Sequence, residues 1–186
     1  LGSWINGWID RKKKLMLRSV AFACFEGIIF SSTVAVIRLM GKLDKHISAL
    51  VTANEFIARD EGRHYLFAIT LFNRYLKDEK LTRPSDHEIN GVIDDALKEV
   101  ALFIRDGYDF NVRSIGTTKE ELIQYTEYLG ATMKYRLGSV KEYKEVNPYP
   151  WMKELMLTGI TNFFEKRVTS YQPSDIPEGR KVFEEW

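Results

Sequence analysis

Asn54-Glu55-Phe56-Ile57-Ala58-Arg59-Asp60-Glu61-Gly62-Arg63-His64 lies inside a proline-free run from about residue 46 to residue 77. Its spacing predicts a long helix in which Asn54, Ile57, Glu61, His64, Ala68, Leu71 and Tyr75 share one face. Glu61 and His64 are three positions apart, so their side chains project to the same side. An acid and an imidazole among apolar residues at helical spacing need a reason to be there.

The preceding stretch repeats the anomaly. Residues 9–40 read as another long helix, broken near residues 41–45, and between Ser19 and Ile37 the one charged residue is Glu26. Phe22, Ile29, Phe30 and Val34 stand four before and three, four and eight after Glu26, which places a carboxylate in the middle of an apolar stripe. Such a group is costly unless it is paired, protonated or bound to metal. The run is about long enough to cross a bilayer. An acid near its centre is expensive in lipid, however, and Ser31, Ser32 and Thr33 dilute it, so a buried core helix is expected.

A lone Glu plus Glu-x-x-His on the next helix is the set that di-iron and di-manganese bundles use twice over. Mixed carboxylate and imidazole donors suit iron or manganese. Spacing alone leaves two readings open, since a Glu or His on an apolar face is often a satisfied core residue and Glu-x-x-His recurs by chance.

Working outward, Ser85 with Glu88 forms a capping-box pattern opening a helix to about Asp106, with Ile89, Val92, Ile93, Ala96, Val100, Phe103 and Ile104 on one face. Thr117 with Glu120, or Thr118 with Glu121, opens another that ends around Leu137-Gly138. Asn147-Pro148-Tyr149-Pro150-Trp151 is a turn-rich connection, residues 163–171 form a short aromatic and basic segment, and residues 172–186 read as a tail that orders on binding. The architecture expected is an all-α bundle over residues 1–171 with a flexible extension at 172–186.

Composition narrows the function classes. The protein has 186 residues, 45% of them hydrophobic, enough to bury a sizeable core. Its 27 Lys and Arg nearly balance 26 Asp and Glu, which gives no electrostatic reason to expect nucleic acid or an anionic membrane as partner. A single cysteine, Cys24, in an apolar setting, excludes an internal disulfide framework and fits a reducing, cytoplasmic compartment. The sequence opens Leu1-Gly2-Ser3-Trp4 without a secretory pattern, which we read as a processed chain or a piece of something longer.

Three stretches resemble the small subunit of class I ribonucleotide reductase, of the eukaryotic and viral type. Phe25-Glu26-Gly27-Ile28-Ile29-Phe30-Ser31 is similar to a ligand helix of that family. Residues 54–64, with the Arg59-Asp60-Glu61-x-x-His64 core, resemble its next helix. Asn162-Phe163-Phe164-Glu165-Lys166-Arg167-Val168 with Tyr171-Gln172 resembles a signature near its C-terminus. The three occur in the family's order and span nearly the whole sequence, which identifies it with the family's C-terminal half and implies a ferritin-like helical bundle.

The resemblance implies that Glu26, Glu61 and His64 are the second set of three ligands of a di-iron centre, with manganese as an alternative. It implies that Asp60 orients a metal-ligating histidine and helps conduct a radical. Phe30 and Ile57 would line the pocket of the radical tyrosine, and Tyr171 would relay the radical to the large subunit, where ribonucleoside diphosphates are reduced. Val34 stands where the family often has a phenylalanine, and Arg63 where leucine is common. Val182-Phe183-Glu184-Glu185-Trp186 keeps an acidic-aromatic ending of the kind that docks in the large subunit. An earlier Asp, a Glu-x-x-His and the radical tyrosine belong to upstream helices, so the expected partners are an N-terminal half in the same or a separate chain, a second small subunit, and the large subunit. The other readings are a non-catalytic, truncated or regulatory small subunit and a generic ferritin-like oxidase or iron-storage bundle. The second of these leaves Tyr171 and the ending unexplained.

Overall fold

A computed structural model describes residues 1–77, 81–108 and 112–152. Among them are six α-helices and no strand: α1 (Gly2–Ile9), α2 (Leu15–Cys24), α3 (Ser31–Leu43), α4 (Ser48–Lys77), α5 (Asp86–Gly107) and α6 (Lys119–Arg136). A π-helical turn, Phe25–Ile29, joins α2 to α3 into one rod, and short 3-10 turns precede α4 and α6. The expected all-helical architecture is what these residues form. Tyr171, the aromatic and basic segment, and the boundary at residue 171 lie outside the described residues.

The first expected helix starts later than its apolar spacing implied. α1 ends at Ile9, and the Asp10 side chain accepts a 2.9 Å hydrogen bond from the Lys12 amide, which turns the backbone. Arg11 and Lys12–14 are all exposed, so a continuous helix would have stacked four like charges within about one turn. The rod therefore opens at Leu15.

Capping chemistry sets two other boundaries. Both elements of a capping box are present at Ser85 with Glu88, and again at Thr118 with Glu121, which decides between the two registers legible at that start. Gly138, just past α6, has φ 69°, a left-handed conformation that glycine adopts without a Cβ penalty.

The rod is the centre of the fold: α4 packs along it, α5 against α2 and the π turn, and α6 against α3, the π turn and α5. The rod, Leu15–Leu43, is long and apolar enough to cross a membrane, but 72% of its most apolar stretch is buried inside the fold. It is the core helix that its composition implied. Val20, Ile28, Phe72, Ile89, Ile93, Val100, Ile104, Leu122 and Met133 are essentially fully buried, each worth about 1.5–3 kcal/mol of transfer free energy. Phe103 departs from the expected core stripe of α5: it lies near the surface, edge-on to Tyr108 with ring centroids 5.7 Å apart. Gly130 lets α6 approach α5 closely, since a Cβ there would meet Leu97 Cδ1 at 2.7 Å.

Candidate metal centre

Glu26 sits in the π turn, and it is the sequence around it that makes the turn unusual. A π turn inserts one extra residue into the helix, a distortion found mostly at functional sites. Phe22 and Phe30, eight positions apart, would be offset by about 80° on a regular α-helix. With one residue absorbed by the bulge they are separated by seven helical steps and align to about 20°. The Ser31 hydroxyl donates to the Ile28 carbonyl at 2.5 Å, where the hydrogen-bond ladder changes from π to α.

The apolar stripe expected around Glu26 is consequently divided. Ile29 and Val34 are buried against the core, whereas Phe22 and Phe30 are exposed on the outer side. Glu26 lies between the two environments and is only 6% exposed. On α4, Asn54 and Ala68 face inward, and Ile57 and His64 face outward with Glu61 between. The side chain of Tyr75, placed on this face by its spacing, lies outside the described set.

Two contacts hold the rod and α4 in register. Asn54 Nδ2 donates 3.1 Å to the Val34 carbonyl in the interior, and Arg38 forms an ion pair with Glu55. With the register set, Glu26, Glu61 and His64 converge, each offering a ligand atom within 4.8 Å of the others. His64 Nδ1 is 3.3 Å from Glu61 Oε2 and 3.5 Å from Glu26 Oε2. Among the described residues this is the one such group.

The electrostatics are those of a site short of positive charge. Burial, reinforced by the neighbouring Glu61 carboxylate, pushes the Glu26 carboxyl from 4.5 up to about 7. Glu26 Oε2 is buried without a hydrogen-bond partner. His64 is shifted upward, chiefly by its hydrogen bond to Glu61. Two carboxylates, one imidazole and an orphaned buried oxygen fit a divalent cation, which would satisfy that oxygen and neutralise both acids. The donor set is the mixed oxygen and nitrogen type that iron and manganese accept.

The remaining residues named from sequence fall around this cluster. Asp60 is exposed beside His64's helix face, with Arg63 Nη1 at 3.3 Å and Arg59 Nε at 3.8 Å. Phe30 and Ile57 are exposed on the same side as the cluster. Behind it lies a cavity of about 120 Å³ whose lining includes Gly27, Gly62, Tyr65 and Arg136. The sequence assigns Tyr65 no role, since it follows the Glu-x-x-His motif and is not placed like a radical tyrosine. Its ring lies where a Cβ on Gly27 would fall, 2.7 Å from Cδ2, and the Arg136 guanidinium stands 5.4 Å from its centroid. Burial pushes the Tyr65 hydroxyl up to about 12. The legible signal was a glycine directly after each carboxylate, Gly27 after Glu26 and Gly62 after Glu61.

A lone Glu on one helix with Glu-x-x-His on the next is the pattern from which helical bundles build two-metal carboxylate sites. Comparison makes the assignment particular. The sequence profile of the family "Ribonucleotide reductase, small chain" matches residues 2–148, so the chain belongs to the ribonucleotide reductase small-chain family. It is 35% identical over 173 residues to the ribonucleoside-diphosphate reductase small chain of Nicotiana tabacum, covering 93% of this chain and 50% of the relative. It is 36% identical over 176 residues to the small chain of African swine fever virus, covering 92% and 52%. A solved structure, the ribonucleotide reductase Rnr4 homodimer from Saccharomyces cerevisiae, superposes with a TM-score of 0.65 at 28% identity, over 92% of this chain and 49% of that one. The chain spans about half the length of the relatives it matches.

Proposed function

We propose that this chain is the C-terminal half of a ribonucleoside-diphosphate reductase small subunit and supplies three of the ligands of a two-metal centre. The observation that carries the reading is the convergence of Glu26, Glu61 and His64 at a π turn, with an orphaned carboxylate oxygen at its centre. Glu26 and Glu61 would contribute charge-neutralising oxygens and His64 a nitrogen lone pair, and the other ligands would come from the N-terminal half of a small subunit. A bound iron pair, or a manganese-containing one, would supply the oxygen activation and one-electron oxidation that nucleotide reduction needs.

The protein's own share is placement and shielding. The π turn holds Glu26 against the apolar interior, so its charge has few competing partners. Phe30 and Ile57 flank the open side and would exclude water once covered. Asp60, exposed beside the cluster, would orient a histidine from the other half. Tyr171 would relay oxidising equivalents to the large subunit, which residues 182–186 would dock, and a second small subunit would complete a cytoplasmic dimer.

Reconstitution tests this. The protein is combined with the N-terminal half of a small subunit, iron and a large subunit, and bound metal and turnover are measured. Wild type is expected to hold two irons per pair and to support turnover, Glu61→Ala to lose iron, and Tyr171→Phe to keep iron without turnover. Full iron content in Glu61→Ala would remove that ligand. Metal-replete wild type without turnover would favour the non-catalytic reading.

A further inference from the structure

The cavity of about 120 Å³ behind the cluster is built mainly by an element that contributes no ligand to it. Six of the residues around it, Tyr125, Tyr128, Leu129, Thr132, Met133 and Arg136, lie on α6, and Tyr65 and Leu66 of α4 complete its larger walls. Gly27 and Gly62 border it without a side chain to fill it. The walls are therefore mostly aromatic rings and aliphatic side chains. The space is that of one six-membered ring, since an apolar cavity of about 150 Å³ takes benzene.

Two polar groups of the cavity have no internal use. Tyr125 is 1% exposed, and its edge-on neighbour Tyr149, 5.3 Å away between ring centroids, has its own hydroxyl bonded to Thr117. The Tyr125 hydroxyl has no hydrogen-bond partner among the described residues. It is not sealed in as Glu26 Oε2 and Ser32 Oγ are, so it opens onto the cavity that its ring lines. Burial pushes it above the ordinary tyrosine value, which keeps it a proton donor. At the other end, the Arg136 guanidinium stands over the Tyr65 ring, and no carboxylate among the described residues pairs with it. A planar guanidinium fork matches a carboxylate. Eleven positions separate Tyr125 from Arg136, which places them on one face of α6 and about 16 Å apart along its axis. Their side chains bracket the space between, one neutral donor and one cation.

We propose that this cavity is a binding site for a single-ring aromatic carboxylate that carries a hydroxyl at the end opposite its acid. The ring lies among Tyr65, Leu129 and Met133, where apolar and aromatic walls replace water. The carboxylate accepts from the Arg136 guanidinium at the rim. The ligand hydroxyl accepts from Tyr125 inside, which gives the buried phenol the partner that the fold does not supply. A small ligand site of this type is mostly apolar, with a few placed polar groups that fix orientation. Glu26, Glu61 and His64 take no part in the recognition, so the site stands whether or not those three side chains hold a metal.

The experiment titrates the full 186-residue protein, in chelator, with 4-hydroxybenzoate, benzoate and 4-hydroxybenzamide by isothermal calorimetry. The expected result is one site per chain, with 4-hydroxybenzoate bound more tightly than either analogue. Arg136→Gln changes an exposed position and is expected to weaken 4-hydroxybenzoate by about tenfold or more while leaving 4-hydroxybenzamide unchanged. Tyr125→Phe is expected to weaken 4-hydroxybenzoate by about three- to tenfold and leave benzoate unchanged. Because the hydroxyl it removes has no partner, that variant should not lower the thermal midpoint of the ligand-free protein. No binding by wild type at millimolar ligand would overturn the proposal. So would equal affinity for the acid and the amide, or undiminished 4-hydroxybenzoate binding in Arg136→Gln. With chelator present throughout, none of these failures bears on the metal ligands.

Discussion

Replacing Glu26 with glutamine removes the one charge from the middle of the rod, and its effect on the metal-free protein is opposite to that of an ordinary loss of a buried polar contact. The carboxyl is 6% exposed, its Oε2 has no hydrogen-bond partner, and burial raises it from 4.5 to about 7. A carboxyl raised on folding binds its proton more tightly in the native state. Its contribution is fully present below the unfolded value near 4.5 and is lost as pH rises through about 7. At about 1.4 kcal/mol per unit the full shift is a ceiling of about 3 kcal/mol. Because the cluster opens to solvent on one side and Glu61 shares the effect, about 2–3 kcal/mol is the expected loss. Glutamine keeps the shape and does not ionise. In urea unfolding followed by circular dichroism, with chelator present, Glu26→Gln and wild type should be close in stability at pH 4.5. At pH 8 the variant should lead by about 2–3 kcal/mol. A difference independent of pH, or a wild type more stable than the variant at pH 8 in chelator, would refute the reasoning. Adding Fe(II) at pH 8 should reverse the order, because only the wild type gains the cation that its orphaned oxygen lacks.

Other consequences follow from the fold. Phe72 is completely buried between α4 and the rod, so Phe72→Ala should cost about 3–5 kcal/mol in the same urea assay; a loss below 1 kcal/mol would mean that the site collapses around the smaller side chain. Gly27→Ala drives a methyl into the Tyr65 ring and should cost about 1–3 kcal/mol, with reduced metal affinity because the displaced π turn carries Glu26. Glu88 is held down to about 2 by Lys14 and by its capping box, so its contribution is present above 4.5 and lost as pH falls toward 2; Glu88→Gln should lower thermal stability at pH 6 and make no difference at pH 2.

The elements legible in the sequence were those whose signals are local. Ser85 with Glu88 and Thr118 with Glu121 are reciprocal hydrogen-bond pairs three residues apart, and each opens a helix where the spacing places it. The three-residue spacing of Glu61 and His64 puts both on one side of α4 whatever surrounds them. The π turn was not legible, because one inserted residue leaves composition and approximate period unchanged over Phe25–Ile29. Its effect was to move Phe22 and Phe30 out of the expected buried stripe. An apolar side chain on a helix carries the same spacing whether it faces its own core or a partner, so Phe22, Phe30 and Ile57 read as core until neighbouring elements were in place. Tyr65, Gly27 and Arg136 meet only through the packing of α4, the rod and α6, and no segment of sequence holds that contact.

The central claim is that Glu26, Glu61 and His64 bind a metal together, and diffraction at the iron edge tests it most directly. Crystals of the protein grown with Fe(II) should show an anomalous peak about 2 Å from a carboxylate oxygen of Glu26, a carboxylate oxygen of Glu61 and a ring nitrogen of His64. No peak among these three side chains at saturating iron, or a peak bound elsewhere while their carboxylates remain apart, would contradict it.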